Sequence, residues 1–168
     1  MKKLLFLFVF GLLISCETIE DKNNPGFQIV VEGVNWNALQ TKAYKYANGA
    51  ILIRANSQNE VFEILIPRAN VGTYTLKSSG TAVASYSYNL EETNLNYVSY
   101  TTSTCDTCPF PSGGSGFVKI KTFPKQDANT ISGELQFQGV QTTDNQAYSE
   151  FRNFIRGSFY NIPIEPAL

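Results

Sequence analysis

Residues 44–66 read Tyr44-Lys45-Tyr46-Ala47-Asn48-Gly49-Ala50-Ile51-Leu52-Ile53-Arg54-Ala55-Asn56-Ser57-Gln58-Asn59-Glu60-Val61-Phe62-Glu63-Ile64-Leu65-Ile66, and this stretch decides the fold class. Apolar and polar side chains alternate with period two, the pattern of strands that bury one face. Ile51 and Ile53 share one side. Phe62, Ile64 and Ile66 share another, with Glu63 pointing away. Asn48-Gly49 sits between two such runs. Asn-Gly is a strong hairpin signal, because both residues accept the positive φ of a tight two-residue turn. Ser57-Gln58-Asn59 predicts a second tight turn.

The same period continues outward. In Gly72-Thr73-Tyr74-Thr75-Leu76-Lys77, Tyr74 and Leu76 point inward; in Ala82 to Leu90, Tyr86, Tyr88 and Leu90 share a face. Leu95 to Thr102 forms a further strand. Val118 and Ile120 oppose Lys119 and Lys121, and Leu135 and Phe137 oppose Glu134, Gln136 and Gln138. A closing strand is predicted near Ile155 to Ile162, although Arg152-Asn153-Phe154-Ile155-Arg156 also fits one helical turn. The reading is an all-β domain over 27–168. It is an antiparallel meander of about ten short strands that closes as a sandwich or barrel to hide its edges.

Composition supports one folded domain. Hydrophobic residues are 43% and charged residues 16% of the 168, too apolar and too weakly charged for a disordered chain. A net charge of −1, without a basic cluster beyond the first residues, argues against nucleic acid as a partner. The count of His is 0, which removes the commonest general base and most catalytic zinc sites.

The N-terminus carries an address. Met1-Lys2-Lys3 is followed by an uncharged apolar run, Leu4 to Ile14. That is a basic region followed by the apolar core of a signal peptide. The run is well short of the ~20 residues a spanning helix needs. Leu13-Ile14-Ser15-Cys16 resembles the lipobox of bacterial lipoproteins, which implies that 1–15 is removed and that Cys16 is the lipid anchor. Two or three acyl chains, each buried CH₂ contributing ~0.8 kcal/mol, hold such a protein on a membrane. Residues 16–26 are polar and end in Pro25-Gly26, the composition of a flexible tether. Glu17, Glu20 and Asp21 resemble the acidic signal of surface lipoproteins of Bacteroidota, and they also read as solvated linker charge. The expected location is the cell envelope, at the outer membrane, with either face open.

Four stretches carry a wider resemblance: Gly33-Val34-Asn35-Trp36-Asn37-Ala38, Val71-Gly72-Thr73-Tyr74-Thr75-Leu76, Ile131-Ser132-Gly133-Glu134-Leu135-Gln136-Phe137 and Ile155-Arg156-Gly157-Ser158-Phe159-Tyr160-Asn161-Ile162-Pro163. In this order behind a lipobox, the chain resembles a family of small Bacteroidota lipoproteins built around a domain of unknown function. The resemblance implies an all-β lipoprotein and no activity.

Candidate chemistry is sparse. Cys105-Asp106-Thr107-Cys108-Pro109 lies between strands among Pro and Gly, not at the helix start that a thioredoxin-like pair needs. A disulfide staple that fixes the loop is the reading taken. Gly113-Gly114-Ser115-Gly116 lacks the Lys and helix of a phosphate loop and reads as a flexible hairpin connection. Trp36, Tyr86 and Tyr88, with Tyr97 and Tyr100, fit either an aromatic platform facing a sugar or apolar ligand, or core filling. Glu91-Glu92, Asp127 and Asp144-Asn145 fall in turns and do not make the facing carboxyls of a glycosidase or a full calcium site. The expectation is a non-enzymatic interaction or structural module without cofactor or metal, meeting the membrane through its lipid and a glycan or protein through its loops. The alternative is a barrel that holds a small apolar or sugar ligand. Thiol alkylation of the exported protein checks the staple: Cys105 and Cys108 are expected to react only after reductant, and reaction of both beforehand contradicts it.

Overall fold

The structure is a computed structural model that describes residues 26–77, 81–88, 98–103, 114–124, 129–142 and 150–167. Among them are eleven strands and no helix: β1 (Gly26–Val31), β2 (Val34–Asn37), β3 (Gln40–Lys45), β4 (Ile51–Asn56), β5 (Glu60–Ile66), β6 (Gly72–Leu76), β7 (Val83–Tyr88), β8 (Val98–Thr101), β9 (Ser115–Thr122), β10 (Thr130–Gln141) and β11 (Phe151–Pro166). All belong to one sheet. Its hydrogen bonding runs β11-β3-β4-β5-β7-β8-β10 and returns to β11, a barrel-like ring with β1–β2 and β9–β6 attached as two flaps.

The all-β expectation holds, and the meander is refined in two places. β6 leaves the sequential order to pair with β9, so β5 pairs directly with β7. The sheet is mixed rather than wholly antiparallel, because β11 meets β3 in parallel through Ile164↔Ala43, Glu165↔Tyr44 and Pro166↔Lys45.

β10 and β11 make this topology possible. Each is long enough to serve two neighbours along one edge. β11 carries β1 beside Phe154–Tyr160 and then β3 beside Ile164–Pro166, while β10 lies along its other edge. β10 in turn carries β9 beside Ser132–Gln138 and then β8 at Val140–Gln141.

A strand that passes from one layer to another has to bend, and β11 bends at two bulges. Between Ser158 and Ile155 it has one residue more than β1, and between Gly157 and Phe154 one more than β10. Arg156, with φ of 52°, absorbs the excess. A second bulge places Tyr160 and Asn161 opposite Ser132. Asn161 has φ of 48°, and its N–H donates to the Ser132 hydroxyl at 2.9 Å. The side chain thereby satisfies a backbone donor that the bulge removes from the ladder. The bulges also explain the helical appearance of this segment. Its buried residues are Phe154, Gly157, Phe159, Ile162 and Ile164, whose spacing of alternate threes and twos mimics a helix period. The segment is strand throughout.

Turn chemistry differs from the expectation in an instructive way. Only Gly49 of Asn48-Gly49 has positive φ, at 84°. Tyr46 and Ala50 close the hairpin, with Tyr46 O accepting from the Gly49 N–H at 3.0 Å. This is a three-residue loop with Gly49 at its bulge position, not a two-residue turn. The two-residue turn with both φ positive lies instead at Glu32 (49°) and Gly33 (86°), between β1 and β2. The Glu32 carboxylate then accepts from the Asn153 N–H at 2.7 Å, tying this turn to β11. Gly114 and Gly116, read as parts of a flexible connection, are close-approach points: a Cβ at either would collide with carbonyls of β10.

The core is a single cluster that draws on the ring and on both flaps, with Phe27, Ile53, Phe62, Ile64, Leu76, Val118, Leu135, Phe154 and Ile162 among its members. Each fully buried side chain of this kind contributes about 1.5–3 kcal/mol. Residues opposite them stay outside, and charges there pair across strands, as in Lys121–Glu134 at 2.5 Å and Lys42–Glu165 at 3.1 Å.

The left-handed backbone at Arg156 yields a test. Arg156→Gly is expected to keep or raise stability, by up to about 1 kcal/mol, whereas the β-branched Arg156→Val lowers it by roughly 1–3 kcal/mol. Urea denaturation of the two variants checks this, and equal losses contradict the bulge geometry.

Candidate functional site

The inner face of β5, β7 and β8 carries its aromatics in register. One cross-strand row runs Ala55, Phe62, Tyr86, Tyr100, and the next towards the end of the interior runs Glu60, Tyr88, Val98. Phe62 is the hub. Its ring lies 4.5 Å from Tyr86, 4.7 Å from Trp36, 5.4 Å from Phe154 and 5.5 Å from Phe27. Phe154 stacks on Phe137 at 4.3 Å. Tilted and edge-on pairs at such distances add to plain area burial through the ring quadrupoles.

Glu60 opens β5 on the same inward parity as Phe62, so its carboxylate meets this cluster. The Trp36 indole N–H donates to Glu60 Oε2 at 2.5 Å, and the Tyr86 hydroxyl donates to Oε1. Hydrogen bonds to an ionised acceptor are the stronger kind, and here each satisfies a polar atom that burial would otherwise strand. Burial pushes the Tyr86 phenol well above its usual range, and the bond to Glu60 pushes the same way. Tyr86 therefore remains a neutral donor at physiological pH.

Arg152 enters from β11 at the same end. Its guanidinium lies 4.7 Å from the Tyr100 ring centre and 5.3 Å from that of Tyr88. Tyr88 and Tyr100 are nearly parallel, 16° apart with centres at 6.4 Å, so one cation spans both. Cation–π contact of this kind contributes about 0.5–2 kcal/mol. Burial pushes the Tyr100 phenol up, with Arg152 opposing. Among the described residues the Arg152 N–H groups have neither an acceptor nor an ion-pair partner.

The structure thus brings Trp36, Tyr86 and Tyr88 together. Trp36 and Tyr86 are buried within the core, and Tyr88 is half-buried at its end. Two members of the cluster were not singled out from the sequence. Glu60 could have been found by carrying the parity of Phe62, Ile64 and Ile66 back by two residues, and Arg152 by doing the same from Phe154. Asn129 has a backbone role, its amide donating to the Ile164 carbonyl. Cys16, Cys105, Cys108, Tyr97, Glu91, Glu92, Asp127 and Asp144 lie outside the described residues. No three acidic or cysteine side chains among the described residues gather as a metal site. No helix among them is long and apolar enough to cross a membrane. The chemistry the cluster offers is recognition by rings, one held carboxylate and one guanidinium.

Fold and site together define an all-β domain with a ring-closed sheet, an aromatic interior and an acid and a base at one end of it. The chain belongs to the family described as Domain of unknown function (DUF6252), which matches residues 23–163. No curated protein and no solved structure matches it.

Loss of the Glu60 carboxylate is expected to strand two buried donors. Glu60→Ala should cost about 2 kcal/mol or more, and Tyr86→Phe, which removes one donor with its acceptor still held by Trp36, should cost less. The phenol also links stability to pH. Its folded value lies above the ordinary 10.0, so its contribution is complete below about pH 10 and is lost as pH rises beyond it. Urea titrations between neutral and alkaline pH check both, and an alkaline slope unchanged in Tyr86→Phe contradicts the assignment.

Proposed function

We propose that the chain is a bacterial envelope lipoprotein, exported by residues 1–15, anchored through lipid on Cys16 and acting as a non-catalytic interaction or structural module. The anchor reading rests on the basic start, the short apolar run and Leu13-Ile14-Ser15-Cys16 in sequence. The outer membrane is the favoured location, by the likeness of Glu17, Glu20 and Asp21 to an acidic sorting signal.

The module reading rests on how the interior is used. The faces of Phe62, Tyr86, Phe154 and Phe137 are turned to one another, and the polar atoms of Trp36 and Tyr86 are taken by Glu60. Rings occupied in this way favour a filled core over a barrel that carries ligand in its centre, and leave the surface and loops for partners. A chain without histidine, whose half-buried Glu60 is engaged by two donors, also favours binding over catalysis. The partners that fit are a glycan or a protein of the envelope or beyond it, reached from a tethered position.

Fractionation tests the anchor. Wild-type protein is expected with the membranes and Cys16→Ala in the soluble fraction. Retention of Cys16→Ala on the membrane would overturn the proposal.

A further inference from the structure

Among the described residues, the half-buried guanidinium of Arg152 lies at the end of the interior without an ion-pair partner. We propose that Arg152, seated on Tyr88 and Tyr100, is a receptor site for a small molecule bearing a single carboxylate. This goes beyond the anchoring proposal and does not depend on it.

The site has the features that recognition of a carboxylate requires. A guanidinium presents a rigid fork of N–H donors that matches a carboxylate with two parallel bonds. Here the fork is held in place rather than waving in solvent: its central carbon lies over two tyrosine rings, 4.7 and 5.3 Å from their centres. Those rings are themselves fixed. Tyr100 is buried against Tyr86 at 6.5 Å and Phe154 at 6.4 Å, and Tyr86 is anchored by Glu60. A preorganised donor set loses little freedom when a ligand arrives. The cation is partly desolvated, which raises the strength of any bond to an anion.

Among the described residues two acids stand near, and they narrow the ligand class. Glu60 shares the cross-strand row of Tyr88, and both its oxygens are engaged by Trp36 and Tyr86. Glu150, two residues before Arg152, is exposed and close enough to act on the Tyr100 phenol. A dianion such as phosphate would meet this negative surround with twice the charge. A monocarboxylate gains the fork at half that repulsion, and its uncharged body can lie on the half-exposed Tyr88.

The test uses the full chain in detergent and follows the Arg152 side-chain Nε–H by NMR. Probes are glucuronate and N-acetylphenylalanine, their neutral counterparts glucose and N-acetylphenylalanine amide, and inorganic phosphate. A saturable shift is expected with at least one carboxylate probe, and which one responds distinguishes an acidic sugar from an amino-acid-like acid. By ligand-observed saturation transfer, Arg152→Gln is expected to weaken that binding on the order of tenfold or more. Arg152→Lys keeps the charge but not the fork. It is expected to lose several-fold, and it carries the test should Arg152→Gln fail to fold. The proposal is overturned if neither carboxylate gives a saturable shift, as when an acid of this chain already holds the guanidinium. It is equally overturned if the neutral counterparts bind as well, if phosphate binds more tightly, or if a folded Arg152 variant binds undiminished.

Discussion

Occupation of both backbone edges of β11 is the constraint on which the rest of this domain depends. A sixteen-residue strand lying in one plane could serve a single layer only. Bent at Arg156 and Asn161, β11 pairs with β10 on one side and, on the other, first with β1 and then in parallel with β3. The second pairing returns the β3–β8 run to the β10–β11 ribbon and closes the ring. Each bulge carries a cost in left-handed backbone, and each is met locally, by the Ser132 hydroxyl at Asn161 and by the Glu32 turn that grips Asn153 near Arg156.

The interior follows from that closure. Once the ring is closed, residues from β1, β2, β7, β10 and β11 converge on Phe62 of β5. The polar ends of Trp36 and Tyr86 have to be satisfied inside, and Glu60 does this for both. The same geometry sets Arg152, one alternation before Phe154, over Tyr88 and Tyr100. An acid and a base thus lie at one end of an otherwise apolar interior. They are there because the strands that carry them keep inward parity back to their N-terminal ends.

Much of this was legible from residue order alone, and the limits have physical causes. Period two placed Ile51 and Ile53, Phe62, Ile64 and Ile66, Val118 and Ile120, and Leu135 and Phe137 inward, and all are buried. Alternation states which face a residue takes, but not which strand lies beside it. The β6–β9 pairing and the parallel β3–β11 junction therefore required the fold itself. Bulges defeat the period outright, which is why 152–156 looked helical. Turn dipeptides were less informative than expected: Asn48-Gly49 gave a hairpin of a different type, and Glu32-Gly33 took the two-residue turn despite a charged residue at a positive φ. At the site, Trp36, Tyr86 and Tyr88 stood out as aromatics. Glu60 and Arg152 did not, because a charged residue at a strand end reads as solvent-facing until its parity is followed. The four stretches that carry the family resemblance include the Glu32–Gly33 hairpin strand with Trp36, Ser132 at its bulge, and both bulges of β11. In this chain they mark devices that shape the sheet.

The closed ring is the central claim, and residue-resolved hydrogen exchange under native conditions tests it most directly. Ring closure predicts that the amides of β3 and those of β11 out to Ala167, which donates to Lys45 O at 2.9 Å, exchange as slowly as the β10–β11 ribbon. All of them would then open only with global unfolding. If β3 and the last residues of β11 instead exchanged rapidly, as free sheet edges do, while the ribbon stayed protected, the ring would not be closed and the account would be wrong.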